Sequence, residues 1–325
     1  MPVIIFFKIS NVTKFSIIFT STVFLFANSY YGDIRIKKIE QADKKQISPA
    51  IKLVSPRFKI ERFFIEEPIE SKLIDLFEIS YPLNKDYLLV FPEGITNMGE
   101  LNRFENDFSK ISDRLTNNTK IILGITLDDG EKIYNSLALF NKKFILEDYY
   151  NKNKLVPFGE FLPFEKFLSN FGLKKITQGY RSFSSSNLRK VINVNSISFL
   201  PLICYEIIFS GKLNVNKSDY DFILNISEDG WFGKSIGPVQ HLSHSIFRSI
   251  EEGKHVIRST NNGVSAFVNP KGQITKQISD KGYFDVNKIR RVDKTYFAKH
   301  GNKIFFYFVI IYIIFSVTLK IRENK

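Results

Sequence analysis

The chain has 325 residues, 46 of them Lys or Arg against 33 Asp or Glu, for a formal charge of +13. That length accommodates one large domain with appendages. A basic balance fits nucleic acid or an anionic membrane surface; no nucleic-acid-binding motif is present and both ends are strongly apolar, so a membrane is expected as partner and nucleic acid is not.

In chain order, residues 1–31 read as an N-terminal membrane anchor. Residues 15–27 are uncharged and mostly apolar. Extended to Tyr31, the run approaches the roughly 20 residues that a spanning helix needs. Residues 1–9 are also apolar, with Lys8 and Lys14 as interruptions. A secretory signal peptide is the alternative, with Ala27-Asn28-Ser29 a poor cleavage site. Residues 32–49 read as a basic linker. Short β-rich apolar runs then recur at 50–54, 87–91, 120–127, 133–140, 191–203, 221–226, 255–259 and 264–269. Helix-compatible stretches at 66–79, 101–115 and 239–252 separate some of them. This alternation predicts an α/β layered domain over 50–285; residues 182–186 read as a loop. A second basic linker follows at 286–302. Residues 304–319 are apolar on every face and flanked by Lys303, Lys320, Arg322 and Lys325, which predicts a membrane helix over 303–320. Basic residues outside both spans put both termini in the cytoplasm and the domain outside it. The basic runs 35–45 and 288–299 oppose that assignment.

Three residues stand out chemically. Glu93 ends the run 88–93 between Pro92 and Gly94, where the chain turns sharply. Lys152 lies in Tyr150-Asn151-Lys152-Asn153-Lys154. Cys204, the only cysteine, ends the apolar run 198–204 and precedes Tyr205 and Glu206. A lone cysteine excludes an intrachain disulfide and fits a reduced compartment or a periplasmic enzyme with one working thiol. A carboxylate, an ammonium and a thiol are what acyl transfer through a thioester requires: a base, an oxyanion partner and a nucleophile. Taken singly, each has a plainer reading. Glu93 could cap a turn, Lys152 could be a solvated side chain, and Cys204 could be a small buried hydrophobe. His241 and His244 lie three apart on a helix-compatible stretch, with no carboxylate or cysteine at ligand spacing, so no metal site is expected. No cofactor is expected either.

The segments Phe91-Pro92-Glu93-Gly94, Tyr134-Asn135-Ser136, 155–163 (Leu-Val-Pro-Phe-Gly-Glu-Phe-Leu-Pro), Cys204-Tyr205-Glu206, Asn225-Ile226-Ser227, 229–233 (Asp-Gly-Trp-Phe-Gly), Gly237-Pro238, Gln240-His241 and 258–263 follow one another over roughly residues 50–275. In that order they resemble the carbon–nitrogen hydrolase (nitrilase) superfamily, and within it the apolipoprotein N-acyltransferase branch. The resemblance implies a nitrilase-like α-β-β-α sandwich, here flanked by N- and C-terminal transmembrane helices. It implies a Glu93-Lys152-Cys204 triad. The lysine of that pattern lies two after a tyrosine and three before the leucine of Leu-Val-Pro, which selects Lys152 over Lys154. Glu160 would orient the lysine and cysteine, the backbone of Tyr205 would donate to the oxyanion, and Glu206 would hold the loop. Trp231 and Phe232 are candidate walls of an acyl pocket, or simply pack their loop. The implied activity takes an acyl chain from a phospholipid to the N-terminal amine of a diacylglyceryl-cysteine lipoprotein, at the periplasmic face of the bacterial inner membrane. This chain departs from the pattern at Phe91 (more often Trp), Lys154 (often His) and Glu228 (usually Asn). It also has room for one N-terminal membrane helix where the family usually has several, consistent with a reduced member or with helices supplied by a separate multi-helix membrane subunit. Two rival readings stand: a membrane-anchored amidase with water as acceptor, and a non-catalytic membrane adaptor on a decayed nitrilase fold.

Overall fold

The structure, a computed structural model, describes residues 10–64, 68–103, 109–164, 182–187, 189–211, 213 and 218–323. The chain divides into two units, residues 1–43 and 44–325.

The described part of the first unit holds helix α1 (Asn11–Gln41), which is long and apolar enough to cross a membrane. The Thr13 N–H donates to the Ser10 hydroxyl at 3.1 Å and caps its start. The apolar residues 1–9 lie outside the described residues. The stretch 32–49, expected as a linker, proves to be mostly regular structure. Residues 33–41 contain no Gly or Pro, and Lys38 puts positive charge in the last turn, where the helix dipole favours it. The helix therefore runs on to Gln41, and the chain becomes extended only at Ala42 (φ −66°, ψ 136°).

Among the described residues the second unit holds thirteen strands: β1 (Lys45–Ser55), β2 (Tyr87–Val90), β3 (Thr96–Asn97), β4 (Lys120–Asp128), β5 (Ile133–Asn141), β6 (Leu146–Asn151), β7 (Ile192–Val194), β8 (Ile197–Ile203), β9 (Phe222–Glu228), β10 (His255–Asn261), β11 (Ser265–Val268), β12 (Ile274–Ile278) and β13 (Gly282–Ile289). They form two sheets. One has the order β13-β1-β2-β4-β5-β6, with β3 beside β4; the other has the order β12-β11-β10-β9-β8-β7. Each sheet has a parallel centre, β1-β2-β4 and β8-β9-β10, and antiparallel margins. Its helices are α2 (Ile69–Ile79), α3 (Met98–Arg103), α4 (Ser109–Ser112), α5 (Gly237–Glu252), α6 (Tyr296–His300) and α7 (Lys303–Glu323).

Period-two alternation on the central strands buries both faces of each sheet. Leu88 and Val90, Ile122, Phe199 and Ile203, and Phe222, Leu224 and Ile226 meet in a core between the sheets. Leu89, Ile121 and Leu123 face the other way, onto Leu73, Leu76 and Phe77 of α2 and Ile111 of α4. Leu200, Leu202, Ile223 and Val256 pack with Leu242 of α5. The result is the expected helix–sheet–sheet–helix sandwich. The run 191–203 is not one strand but a tight β7–β8 hairpin, broken at Asn195, whose φ is +52°. The stretch 66–79 becomes helical at Ile69, after Pro68, and Glu66 lies outside the described residues. Within 101–115, residues 104–108 likewise lie outside them. Along α7, Phe305, Phe306, Ile311 and Tyr312 are exposed.

Candidate active site

Parallel strands deliver side chains at their carboxyl ends, the usual place for a site in an α/β sheet. Glu93 follows β2, Cys204 follows β8, and Asp229 follows β9. The pairing of Ile203 with Ile226 sets Cys204 beside Ser227.

The turn that carries Glu93 is pressed against β4. Gly124 N–H donates to the Pro92 carbonyl at 3.2 Å, and Ile95 N–H donates to the Gly124 carbonyl at 2.7 Å. A methyl group on Gly124 would lie 2.4 Å from the Glu93 Cα and 2.5 Å from the Pro92 oxygen. Both are backbone atoms and cannot swing aside. Gly124→Ala is therefore expected to displace the Glu93 backbone and lower the melting temperature. A thermal melt at the wild-type temperature would show that the close approach is dispensable.

Lys152 leaves the end of β6, where its N–H donates to the Asn135 carbonyl at 2.9 Å. Its side chain is 1 % exposed. The ammonium lies 2.9 Å from Glu160 Oε1 and 3.3 Å from Glu93 Oε1. Burial alone would strip its charge, but Glu160 and Glu93 outweigh burial and hold the pKa above the ordinary lysine value. Lys154, two residues on, is exposed. Asn135 on β5 completes the cluster: its amide donates to Glu93 Oε1 at 2.7 Å and to Glu160 Oε1 at 2.6 Å. Glu93 Oε2 accepts the Glu228 N–H at 2.8 Å. Glu160 folds its own loop, taking the Val156 N–H on Oε2 at 2.9 Å.

Cys204 opens a short 3-10 turn (Cys204–Ile208) with φ +48°, in the left-handed region. It is partly exposed. Burial, then the negative charge of Glu93, pushes its thiol pKa up, while Lys152 and a hydrogen bond with Ser227 pull it down. The resting group is the thiol. The structure brings Glu93 and Lys152 together at 3.3 Å, and sets Cys204 next to Ser227 at the end of the neighbouring pair of strands.

Glu206 lies behind this group, fully buried. Its Oε1 accepts from the Tyr150 hydroxyl at 2.7 Å and from the N–H groups of Asn153 and Lys154 at 2.9 and 3.1 Å; its Oε2 accepts the Ile203 N–H at 2.8 Å. One carboxylate thus ties the lysine loop to the cysteine turn. Tyr205 packs its ring edgewise on Phe209, with centroids 5.2 Å apart. Trp231 stacks on Phe63 at 5.2 Å and Phe232 sits edge-on to His241 at 5.6 Å. Each keeps about two-fifths of its surface exposed, 40 % and 41 %. Both therefore pack their turn and still present an apolar face. Among the described residues no group of three His, Cys, Asp or Glu could hold a metal ion. Glu228, where the resembled pattern has Asn, is buried and accepts from Arg62 Nη2 at 2.6 Å and Asn261 Nδ2 at 2.7 Å. The acid is accommodated because Arg62 neutralises it.

The model of the carbon–nitrogen hydrolase family matches residues 102–283. The chain belongs to that family. Among curated proteins it is similar to apolipoprotein N-acyltransferases. With that of Rhodopseudomonas palustris it shares 33 % identity over 224 residues, 66 % of this chain and 42 % of the relative. With that of Rhizobium rhizogenes it shares 29 % over 296 residues, 84 % of this chain and 55 % of the relative. With that of Vibrio parahaemolyticus it shares 39 % over 176 residues, 50 % of this chain and 34 % of the relative. The chain spans about half the length of the curated relatives it matches. Solved carbon–nitrogen hydrolase folds superpose on it: an amidase from Nesterenkonia sp. (TM-score 0.53, 14 % identity, 82 % of this chain and 98 % of that one) and Nit3 of Saccharomyces cerevisiae (0.51, 17 %, 73 % and 89 %). At these identities the likeness concerns the fold. Glu93 lies just before the matched residues; its place beside Lys152 and Glu160 comes from the structure.

Proposed function

We propose that this carbon–nitrogen hydrolase is an apolipoprotein N-acyltransferase that works through a thioester on Cys204. The observation that carries the reading is the buried Lys152 ammonium, paired with Glu93 and Glu160, with Glu93 in turn bonded to the Glu228 N–H at the end of β9, the strand next to β8 and its Cys204 turn. The names of the similar curated proteins supply the substrate class.

In the first half-reaction Glu93 takes the thiol proton as sulfur attacks the sn-1 ester carbonyl of a phospholipid. A C–S bond forms, and Lys152 with the Tyr205 N–H stabilises the oxyanion. The ester C–O bond then breaks, and the lysolipid leaves with the proton from Glu93. In the second, the α-amine of a diacylglyceryl-cysteine attacks the thioester. The C–N bond forms, the C–S bond breaks, and Glu93 carries the amine proton to the departing thiolate. Glu160 holds Lys152 in place, Glu206 holds the two loops together, and Trp231 and Phe232 line the path of the acyl chain. The catalytic domain is taken as residues 50–285.

We further infer that α1 and the segment 303–320 both span the inner membrane and that the domain faces the periplasm. The supporting observations are the length and apolarity of α1 and the exposed apolar side chains of α7. Protease added to spheroplasts is expected to cut between the two helices, while a C-terminal cytoplasm-active fluorescent protein stays bright. Protection of the domain would invert this topology.

Intact mass spectrometry tests the chemistry. Incubation with phospholipid is expected to add one acyl mass at Cys204. Addition of a diacylglyceryl-cysteine peptide is expected to discharge it as an amide. Release as free fatty acid at the same rate with and without peptide would make water the acceptor and the enzyme an amidase-type hydrolase. No adduct at all would remove the thioester mechanism.

A further inference from the structure

A second buried polar cluster meets Cys204 through its backbone carbonyl. His241, on α5, brings Nε2 to 3.1 Å from the Cys204 carbonyl oxygen. A carbonyl can only accept, so Nε2 carries the hydrogen. At the other ring nitrogen, Nδ1, lie Asp229 Oδ1 at 2.9 Å and Arg258 Nη2 at 3.1 Å. Burial, then Arg258, pushes the His241 pKa down, while Asp229 and the hydrogen bond to the Cys204 carbonyl push it up; Nδ1 is held between the carboxylate and the guanidinium. Arg258 Nη2 also donates to both Asp229 oxygens, at 2.9 and 2.8 Å, and Arg258 Nη1 donates to Asn225 Oδ1. Burial opposes charge on Asp229, yet Arg258 and His241 hold its pKa down at about 2. Asp229 and Arg258 are fully buried and His241 nearly so. The imidazole is therefore locked at one end and grips Cys204 with the other.

What it grips matters. The carbonyl of Cys204 and the N–H of Tyr205 belong to one planar trans peptide, in which the two bonds point in opposite directions. Fixing the carbonyl fixes the aim of the N–H. Cys204 also sits at φ +48°, a strained region for a non-glycine residue that persists only when its surroundings over-determine it. A hydrogen bond accepted by the carbonyl also polarises the N–H at the other end of the peptide, making it a better donor.

We propose that His241, held by Asp229 and Arg258, is a positioning residue: through the Cys204 carbonyl it sets the Cys204–Tyr205 peptide plane and presents the Tyr205 N–H to the oxyanion of the acyl transfer. This rests on Cys204 being the nucleophile but not on which lipid or amine is used.

The test compares two reactions of the same sulfur. Acylation by p-nitrophenyl butyrate develops an oxyanion; alkylation by iodoacetamide does not. His241→Leu is expected to slow acylation by about 10²-fold, the cost of losing one oxyanion donor, with alkylation almost unchanged. His241→Gln, whose amide can still donate to the carbonyl, is expected to recover most of the loss. If the leucine variant does not fold, as judged by its melting curve, His241→Asn carries the same expectation as leucine, because its amide meets Asp229 but falls short of Cys204. The proposal is overturned if acylation survives in the folded leucine or asparagine variant. It is overturned equally if acylation and alkylation fall together, or if glutamine rescues nothing. Wild-type protein that is acylated by the ester but not by phospholipid would sink only the lipid reading. Wild-type protein acylated by neither would sink both.

Discussion

Cys204→Ser is expected to yield no acyl adduct while folding normally. A serine hydroxyl is far less acidic than a thiol, and the only base proposed beside it is a carboxylate. The thiol itself already needs help, since burial and Glu93 raise its pKa. The substitution is small and leaves the peptide geometry at φ +48° untouched. Loss of the nucleophile should cost at least about 10³-fold in transfer, with residual turnover drawn from binding and the oxyanion donors. The measurement is single-turnover transfer of a labelled acyl chain, alongside a thermal melt. Transfer within tenfold of wild type would mean that the chain's sole thiol is not the nucleophile.

Lys152→Ala should be nearly as severe, for two separable reasons. Removal of an oxyanion partner costs about 10²–10³ in rate. In addition, Glu93 and Glu160 would be left buried and sharing Asn135 without a counter-charge. Breaking a buried pair in this way typically destabilises by about 3–5 kcal/mol. The variant should therefore melt early as well as fail to acylate. Lys154→Ala should do neither, because that side chain is exposed and exposed changes stay within about 0.5 kcal/mol. An inactive Lys154 variant beside an active Lys152 variant would move the catalytic lysine by two residues.

The central strands were legible because both faces are apolar: 87–91, 120–127 and 221–226 read as buried runs and form β2, β4 and β9. The margins were not. β6 carries Glu147 and Asp148, β12 is Ile-Thr-Lys-Gln-Ile, and β13 holds Asp285 and Lys288. Edge positions face water on one side, so their sequences resemble loops. The run 32–49 was misread for a related reason: its charges suggested a linker, whereas cations suit a helix C-terminus and nothing there breaks a helix. In the site, Glu93 and Cys204 stand out by residue type and position, and the resemblance selects Lys152, which the structure sets beside Glu93. Glu206 was expected to hold a loop, but the hydrogen bonds it accepts from Tyr150, Asn153 and Lys154, more than fifty residues earlier, are a tertiary result. Asn135 lies in the motif Tyr134-Asn135-Ser136, and the sequence alone assigns it no role. Its bridge between two carboxylates depends on the β5–β6 register and on where the 155–163 loop returns. The link from Arg258 through Asp229 and His241 to a backbone carbonyl was also invisible, since it joins the middle of β10 and the end of β9 to one face of α5.

The partners of Glu93 bear on the order of events in turnover. The Asn135 amide, the Lys152 ammonium and the Glu228 N–H all point hydrogens at its two oxygens. None of the three can accept one. A proton lifted from sulfur thus enters a carboxyl group that these neighbours cannot relieve, and the nearest place for it to go is the departing alcohol. The same holds when the amine arrives. On the proposed mechanism Glu93 works as a short-term lender, and each half-reaction must hand back its hydrogen before the next substrate can be turned over. A solvent isotope effect of similar size on both half-reactions is the kinetic mark this leaves.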